Sequence, residues 1–474
     1  MEDGKLNMVS VLSHSTIIPS KQTPNPKLFS LCEQIKLRTH APLLYVYKPH
    51  NQNNTSTFLE TLKNSLSQAL VIYYPLAGRL SWIKDGRWEI HCNSKGALFI
   101  EAKCEELTDL NQLGDFVPTN LVSQLIPNNN YNLPLEDIPL LAVQLTRFRC
   151  GGFTLGIALC RAATDGTATM CFMNAWARLA RGENLHQNEF PCHDRTMLNS
   201  RKLTHLPSLR WQHREFDAPP VWMSSDLNGN REVSVAILKL TREHVSKLKK
   251  KASSRMSILP TSKDVHMTKP YSTFEVIAGH LWKCVTKARY IGNRDQSTRL
   301  STLVNCRNRL QPPLPNGYVG NAAFPTVTPT RSFNDLIYKP LGDAVEDVKK
   351  AIERVTGGYV RSALNYIDSE NNMDLLRYNF HYPAKSVIEG QYKGNPNLFV
   401  VSWMNFSYKD ANFGLGEPIY FGPGFMDSEG KAFIMNNNNG DGIVVAISLE
   451  ASCMDSFKKY FYDDIREMFC NSKL

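Results

Sequence analysis

One short stretch of this chain places a guanidinium and a carboxylate on the same turn. Phe153-Thr-Leu-Gly-Ile-Ala-Leu-Cys160 reads as a buried strand and Arg161 to Asp165 as a turn. Gly166-Thr167 then opens a helix that runs through Trp176 and Leu179 and closes at Gly182. A strand, a tight turn and a helix N-terminus together form a common mount for reactive groups. Arg161 offers donors but no acceptor lone pair, and a guanidinium stays protonated at physiological pH, so it cannot remove a proton. It can fork onto a carboxylate or steady a developing oxyanion.

The other candidates are weaker. Twelve histidines are present, and His280, in a helix beside Trp282, reads as a core histidine before a catalyst. His193-Asp194-Arg195 looks like a fragment of a triad, yet neighbours on a strand point to opposite faces. Thr167 has N-capping as its simplest job, and Asn305 and Arg309 read as braces of the lobe interface. The sequence has no GxxxxGK[ST] loop, no GxGxxG and no His/Cys set at metal spacing, so nucleotide hydrolysis, nicotinamide chemistry and metal catalysis lack support.

The elements that must position these groups alternate in type. Thr57-x-x-Glu60 predicts a helix start, with Phe58, Leu62, Leu66 and Leu70 on one face and a stop near Pro75. Ser272-x-x-Glu275 predicts another, turning Phe274, Ile277, Ala278, Leu281, Trp282 and Val285 inward, and Ser452-x-x-Asp455 a last one, stacking Phe457, Phe461, Ile465 and Phe469. Val233, Val235 and Ile237 alternate as a strand does, and Asn436 to Asn439 reads as a turn into Gly440-Asp441-Gly442. The fold class is therefore α/β. Pro207 to Asn230 lacks periodicity and is rich in Pro, Trp and polar residues, as a linker between lobes would be. The division expected is 1–205, a crossover over 206–232, and 233–474.

With 474 residues, 42% of them hydrophobic, the chain exceeds the roughly 250 to 300 residues that one core serves. A net charge of +10 suits an anionic small partner, but the basic residues are dispersed, which argues against nucleic acid, and the Lys247 to Lys251 run reads as a solvated face. The eleven cysteines show no paired CxxC spacing and read as reduced core thiols. The start has no apolar signal region, and no apolar run approaches the roughly 20 residues of a membrane span. The expectation is a cytoplasmic monomer that does not insert in a membrane.

Several blocks, in order, carry a family resemblance: Tyr74-Pro-Leu-Ala-Gly-Arg79, Pro139-Leu-Leu-Ala-Val-Gln-Leu-Thr-Arg147, Arg161-Ala-Ala-Thr-Asp165-Gly166, His193-Asp-Arg195, Ala278-Gly-His-Leu-Trp282, Val304-Asn-Cys-Arg-Asn-Arg309 and Gly317-Tyr-Val-Gly-Asn321. Along almost its whole length the chain resembles the BAHD superfamily of plant CoA-dependent acyltransferases. Two departures stand out. Arg161 occupies the place of the family's catalytic histidine in HxxxDG, and the family's DFGWG reads Asn412-Phe-Gly-Leu-Gly416. Ser15-Thr-Ile-Ile-Pro-Ser20 and Thr23-Pro-Asn25 look most like enzymes that place hydroxycinnamoyl groups on polyamines.

The resemblance implies two similar lobes with a channel between them, acyl-CoA entering from one face and the acceptor from the other. It implies no bound cofactor, with acyl-CoA as co-substrate and a small metabolite as partner. It places Arg161 and Asp165 at the catalytic turn, and Gly166, Thr167, Trp403, Asn412, Gly414 and Gly416 along the substrate or CoA channel. It also pairs Asp165 with Arg307 as a structural ion pair. Without the histidine, transfer to a hydroxyl should lose about 10²- to 10⁴-fold, whereas a neutral amine needs no prior deprotonation. Three readings stand open: acyl transfer with Arg161 acting by its charge, a channel repurposed for condensation, cyclisation or isomerisation, and a non-catalytic homologue that binds a metabolite or a partner enzyme.

Overall fold

The computed structural model describes residues 8–49, 55–107, 109–200, 211–223, 232–254, 269–290, 292–381, 395–426, 428–437, 440 and 442–466. Two six-stranded sheets organise them. The first runs, in spatial order, Ser10–Ile17, Ala97–Cys104, Leu141–Phe148, Phe153–Cys160, His40–Tyr47 and Tyr420–Pro423. The second runs Ala323–Val327, Leu300–Asn305, Leu398–Ser402, Lys431–Asn436, Ile443–Glu450 and Val233–Leu240. Both sheets mix parallel and antiparallel neighbours, so the fold is mixed α/β with two lobes.

Burial explains the strand at the centre of the first lobe. Every residue of Phe153–Cys160 is buried, a continuous apolar run of the kind that only a strand covered on both faces tolerates. Gly156 within it lets another segment come close, since a Cβ there would lie 2.0 Å from the Leu125 carbonyl oxygen. The helices Thr55–Ile72 and Gly166–Ala180 cover one face, joined by Trp176, whose indole N–H donates to Ser65 Oγ at 3.0 Å. In the second lobe Thr273–Arg289 lies at the centre of a cluster with Arg242–Ser253, Leu341–Arg354 and Ala451–Arg466.

The capping box at Ser272 forms in full: Ser272 Oγ accepts from Glu275 N at 3.2 Å, and Glu275 Oε2 accepts from Ser272 N at 2.7 Å. The other two expected starts are corrected. The first helix begins at Thr55, so Thr57 lies inside it. The last begins at Ala451 directly after strand Ile443–Glu450, and the Ala451 N–H is satisfied by the Glu232 carbonyl at 2.9 Å instead of by a cap. Phe469, Asn438, Asn439 and Asp441 lie outside the described residues.

Of the expected crossover over 206–232, residues 211–223 and 232 are described. There Glu215 is buried against the Tyr359 hydroxyl. The second half is not confined to the second sheet, because Tyr420–Pro423 pairs antiparallel with His40–Tyr47 and closes the edge of the first.

Candidate active site

The Arg161 turn is held from three directions. Its start is fixed by the sheet: His40 stands opposite Cys160 in the register, and Arg161 N donates to the Thr39 carbonyl at 3.0 Å. Its carbonyls are caught by side chains from elsewhere in the chain. Asn321 Nδ2 donates to the Arg161 carbonyl at 3.0 Å and to that of Thr164 at 3.3 Å, while Arg195 Nη2 donates to that of Ala163 at 3.2 Å. A tight turn that leaves the sheet would otherwise strand these acceptors in a buried setting. Glu33, itself buried, holds both braces, accepting from Arg195 Nε at 3.0 Å and from Asn321 N at 3.2 Å.

Asp165 closes the turn. It caps the Gly166–Ala180 helix, accepting from Ala168 N at 2.9 Å, and takes a fork from Arg307, Nη1 to Oδ2 at 2.7 Å and Nη2 to Oδ1 at 3.0 Å. Ala322 N adds a bond at 2.8 Å. Burial alone would push the carboxyl up, but the Arg307 charge and these hydrogen bonds outweigh it and hold Asp165 below its ordinary range. With its oxygens so occupied, Asp165 is a structural anion. Thr167 is therefore not the cap; it is the second residue of the helix, where its Oγ1 accepts from Asn305 Nδ2 at 3.4 Å across the lobes. Arg309 also departs from expectation, donating to the Ile352 and Val355 carbonyls within the second half.

Arg161 is half-buried, and the histidine whose ring feels its charge is His40. His40 Nε2 lies 2.8 Å from the Pro139 carbonyl and must donate to it, which leaves Nδ1 to accept from the Tyr131 hydroxyl at 2.9 Å. Burial, assisted by Arg161, brings its pKa down to about 4. His40 is thus neutral and a poor base. Cys160 is no nucleophile either, since burial pushes its thiol up to about 12 despite Arg161. Burial likewise lowers His193 and His280 to about 4, and each bonds a backbone carbonyl.

A pocket of about 540 Å³ is lined in part by Arg242, Thr273, Phe406, Ser407, Lys409 and Asn436. Arg242 and Thr273 are the first residues of two helices capped by Thr241 and Ser272. Two helix N-termini and two cations facing one cavity create a positive potential suited to phosphate. Phe406 links the pocket to the turn: a Cβ added at Gly166 would lie 2.2 Å from its Cζ. Trp403 packs behind, its ring centroid 5.7 Å from that of Phe406, 5.4 Å from Phe421 and 4.4 Å from Phe433.

Asn412, Gly414 and Gly416 lie together in one turn. Asn412 Oδ1 accepts from Gly414 N at 2.9 Å and Gly416 N at 3.0 Å, and both glycines adopt positive φ. The Asn412 carbonyl accepts from Arg181, at the C-terminal end of the Gly166–Ala180 helix. At about 1.5 Å per residue, that end lies on the order of 22 Å from Gly166. The segment is a turn that anchors the far end of the helix. Asparagine keeps the acceptor oxygen that the turn needs.

Among the described residues His280, Cys284 and Asp464 bring donor atoms of metal-binding type within 4.8 Å of one another. The Lys287 ammonium already lies 2.7 and 3.0 Å from the Asp464 oxygens, so a metal cation would meet like charge. The cluster ties two helices together. Sequence reasoning missed His40, Glu33, Lys36 and Phe406. Lys36 is buried and donates to the Ala323 carbonyl beside the same network.

The Transferase family model matches residues 7–464. Hydroxycinnamoyl-CoA:piscidic acid hydroxycinnamoyltransferase of Actaea racemosa is 40% identical over 97% of this chain and 100% of its own length. Anthranilate N-benzoyltransferase protein 2 of Dianthus caryophyllus is 36% identical over 95% of this chain and 99% of its own. Among solved structures, F. graminearum TRI101 complexed with ethyl coenzyme A aligns with a TM-score of 0.73 at 16% identity, covering 92% of this chain and 97% of that one.

Proposed function

The chain belongs to the Transferase family, the BAHD acyltransferases, and on that premise we propose that it moves an acyl group from a CoA thioester to an amine or hydroxyl on a small metabolite, with Arg161 contributing charge instead of a base. The observation that supports this reading is that Phe406, which lines a pocket carrying Arg242 and Lys409, packs against Gly166, the residue that follows the Arg161–Asp165 turn. The pocket would take the anionic portion of CoA, its phosphates held by Arg242, Lys409 and the two helix N-termini. The relatives named above carry hydroxycinnamoyl or benzoyl groups, which favours an aromatic acyl donor.

The acceptor atom attacks the thioester carbonyl carbon, and the C=O electrons move onto oxygen. The oxyanion then collapses, the C–S bond breaks, and CoA leaves as thiolate. A positioned guanidinium stabilises that oxyanion by about 3 kcal/mol, the size of one oxyanion-hole donor. Arg161 cannot receive the acceptor's proton, and His40 is held neutral with its ring nitrogens engaged. A neutral amine meets this limit, because it attacks first and sheds its proton to the departing thiolate or to water. N-acylation is therefore favoured ahead of O-acylation, including acylation of the polyamine class suggested by the N-terminal residues.

That neither Arg161 nor His40 can take a proton also favours a second reading, in which the channel serves a condensation, cyclisation or isomerisation. No helix of the described residues is long and apolar enough to cross a membrane, and the reading is of a monomeric cytoplasmic enzyme with no resident cofactor. Release of free thiol from an acyl-CoA, dependent on added acceptor, tests transfer. Thiol release without any acylated product would refute it.

A further inference from the structure

We infer that Phe406 is a displaceable wall that selects the acyl group, yielding its place on Trp403 to a planar aromatic acyl chain; this rests on the acyl-CoA reading above. The ring occupies a space that exists only because residue 166 is glycine, since an added Cβ would lie 2.2, 3.0 and 3.1 Å from its Cζ, Cε2 and Cε1 atoms. The same side chain lines the pocket beside Ser407, Tyr408 and Lys409. A thioester with its nucleotide end in that pocket meets Phe406 before it reaches Gly166, Thr167 or Arg161.

The two aromatic residues differ in how firmly they are held. Trp403 is wedged between Phe421 and Phe433, with centroids at 5.4 and 4.4 Å, and its backbone N–H bonds the Ile434 carbonyl at 2.8 Å. Phe406 makes looser ring contacts, 5.7 Å to Trp403 at an interplanar angle of 28° and 6.4 Å to Phe421 at 60°. It has two side-chain torsions and no polar tether. When it swings off Gly166, a stacking face on Trp403 opens next to the first turn of the helix. A flat conjugated acyl group regains the stacking that Phe406 gives up; a short alkyl group does not. Selection thus works through the cost of moving one ring.

The test measures binding of CoA and of cinnamoyl-CoA, without acceptor, by calorimetry to the wild-type chain, Phe406→Ala and Phe406→Leu, with circular dichroism melts to confirm folding. Removing the wall should raise the preference for cinnamoyl-CoA over CoA about tenfold in Phe406→Ala, in the range that a pocket side chain contributes. Phe406→Leu should shift the same preference by a smaller factor. An unchanged or reduced preference in folded variants overturns the wall while leaving the acyl-CoA reading intact. Failure of the wild-type chain to bind either compound overturns that reading, and the wall with it.

Discussion

Asp165 and Arg307, 142 positions apart, meet as a two-bond fork across the lobes, Oδ2 to Nη1 at 2.7 Å and Oδ1 to Nη2 at 3.0 Å. The fork engages both carboxylate oxygens and pins the start of the Gly166–Ala180 helix to the second lobe. Stability and site geometry are therefore coupled at one residue.

Asp165→Asn keeps a cap oxygen but leaves Arg307 buried without its counter-charge. Removing one partner of a buried pair costs about 3–5 kcal/mol. A clear fall in soluble yield and in melting temperature is expected by thermal denaturation. A melting temperature equal to wild type would show that the fork is dispensable.

Asn412→Asp restores the family's residue in a turn far from Gly166. The oxygen that accepts from Gly414 and Gly416 is retained, so melting should shift by no more than about 0.5 kcal/mol and turnover should be unchanged. A several-fold change in turnover with melting unchanged would return this segment to the channel.

Burial lowers His40, His193 and His280 to about 4 in the folded state. Between about pH 6.5 and 4 the unfolded chain then binds protons that the folded chain refuses, so each contributes stability above about pH 6.5 that is lost as pH falls. Glu33 and Glu429, whose carboxyls burial pushes up, act with the opposite sign. Subtraction isolates one histidine: stability of wild type minus that of His193→Gln should fall by about 1.4 kcal/mol per pH unit across that window. Urea melts at pH 7.5, 6, 5 and 4.5 measure it, and a flat difference would contradict the buried neutral ring.

Acylation of an amine should follow the ionisation of the acceptor, because a guanidinium takes no proton and burial keeps the His40 ring beside it neutral. Plots of kcat/KM against pH for two amines of different basicity should shift with the amine. A limb near pH 6.5 common to both would reveal an enzyme base.

Much of the site could be read from local pattern. Phe153–Cys160 as a buried strand, Gly166 as the helix start and Gly182 as its end all follow from periodicity and backbone chemistry, and the ordered motifs carried the family. What escaped depends on contacts distant in sequence. Ser452 matches a cap, yet the helix already starts at Ala451, whose N–H finds the carbonyl of Glu232, the residue before strand Val233–Leu240. Tyr420–Pro423 joins the first sheet through pairing with His40–Tyr47, a partner that no local signal specifies. Phe406 matters because it rests on Gly166, and only the fold brings them together. Thr57 matches a capping box as well, but the pattern recurs inside helices wherever a face is polar.

The most direct test is a product assay by mass, pairing acetyl-, benzoyl- and hydroxycinnamoyl-CoA with amine and alcohol acceptors, run on the native chain beside Arg161→His. The native chain should acylate an amine and release CoA, with alcohols far slower. Arg161→His should raise the alcohol rate by about 10²-fold, as a restored general base would. Acylated product from Arg161→His alone, with none from the native chain, would contradict base-independent acyl transfer.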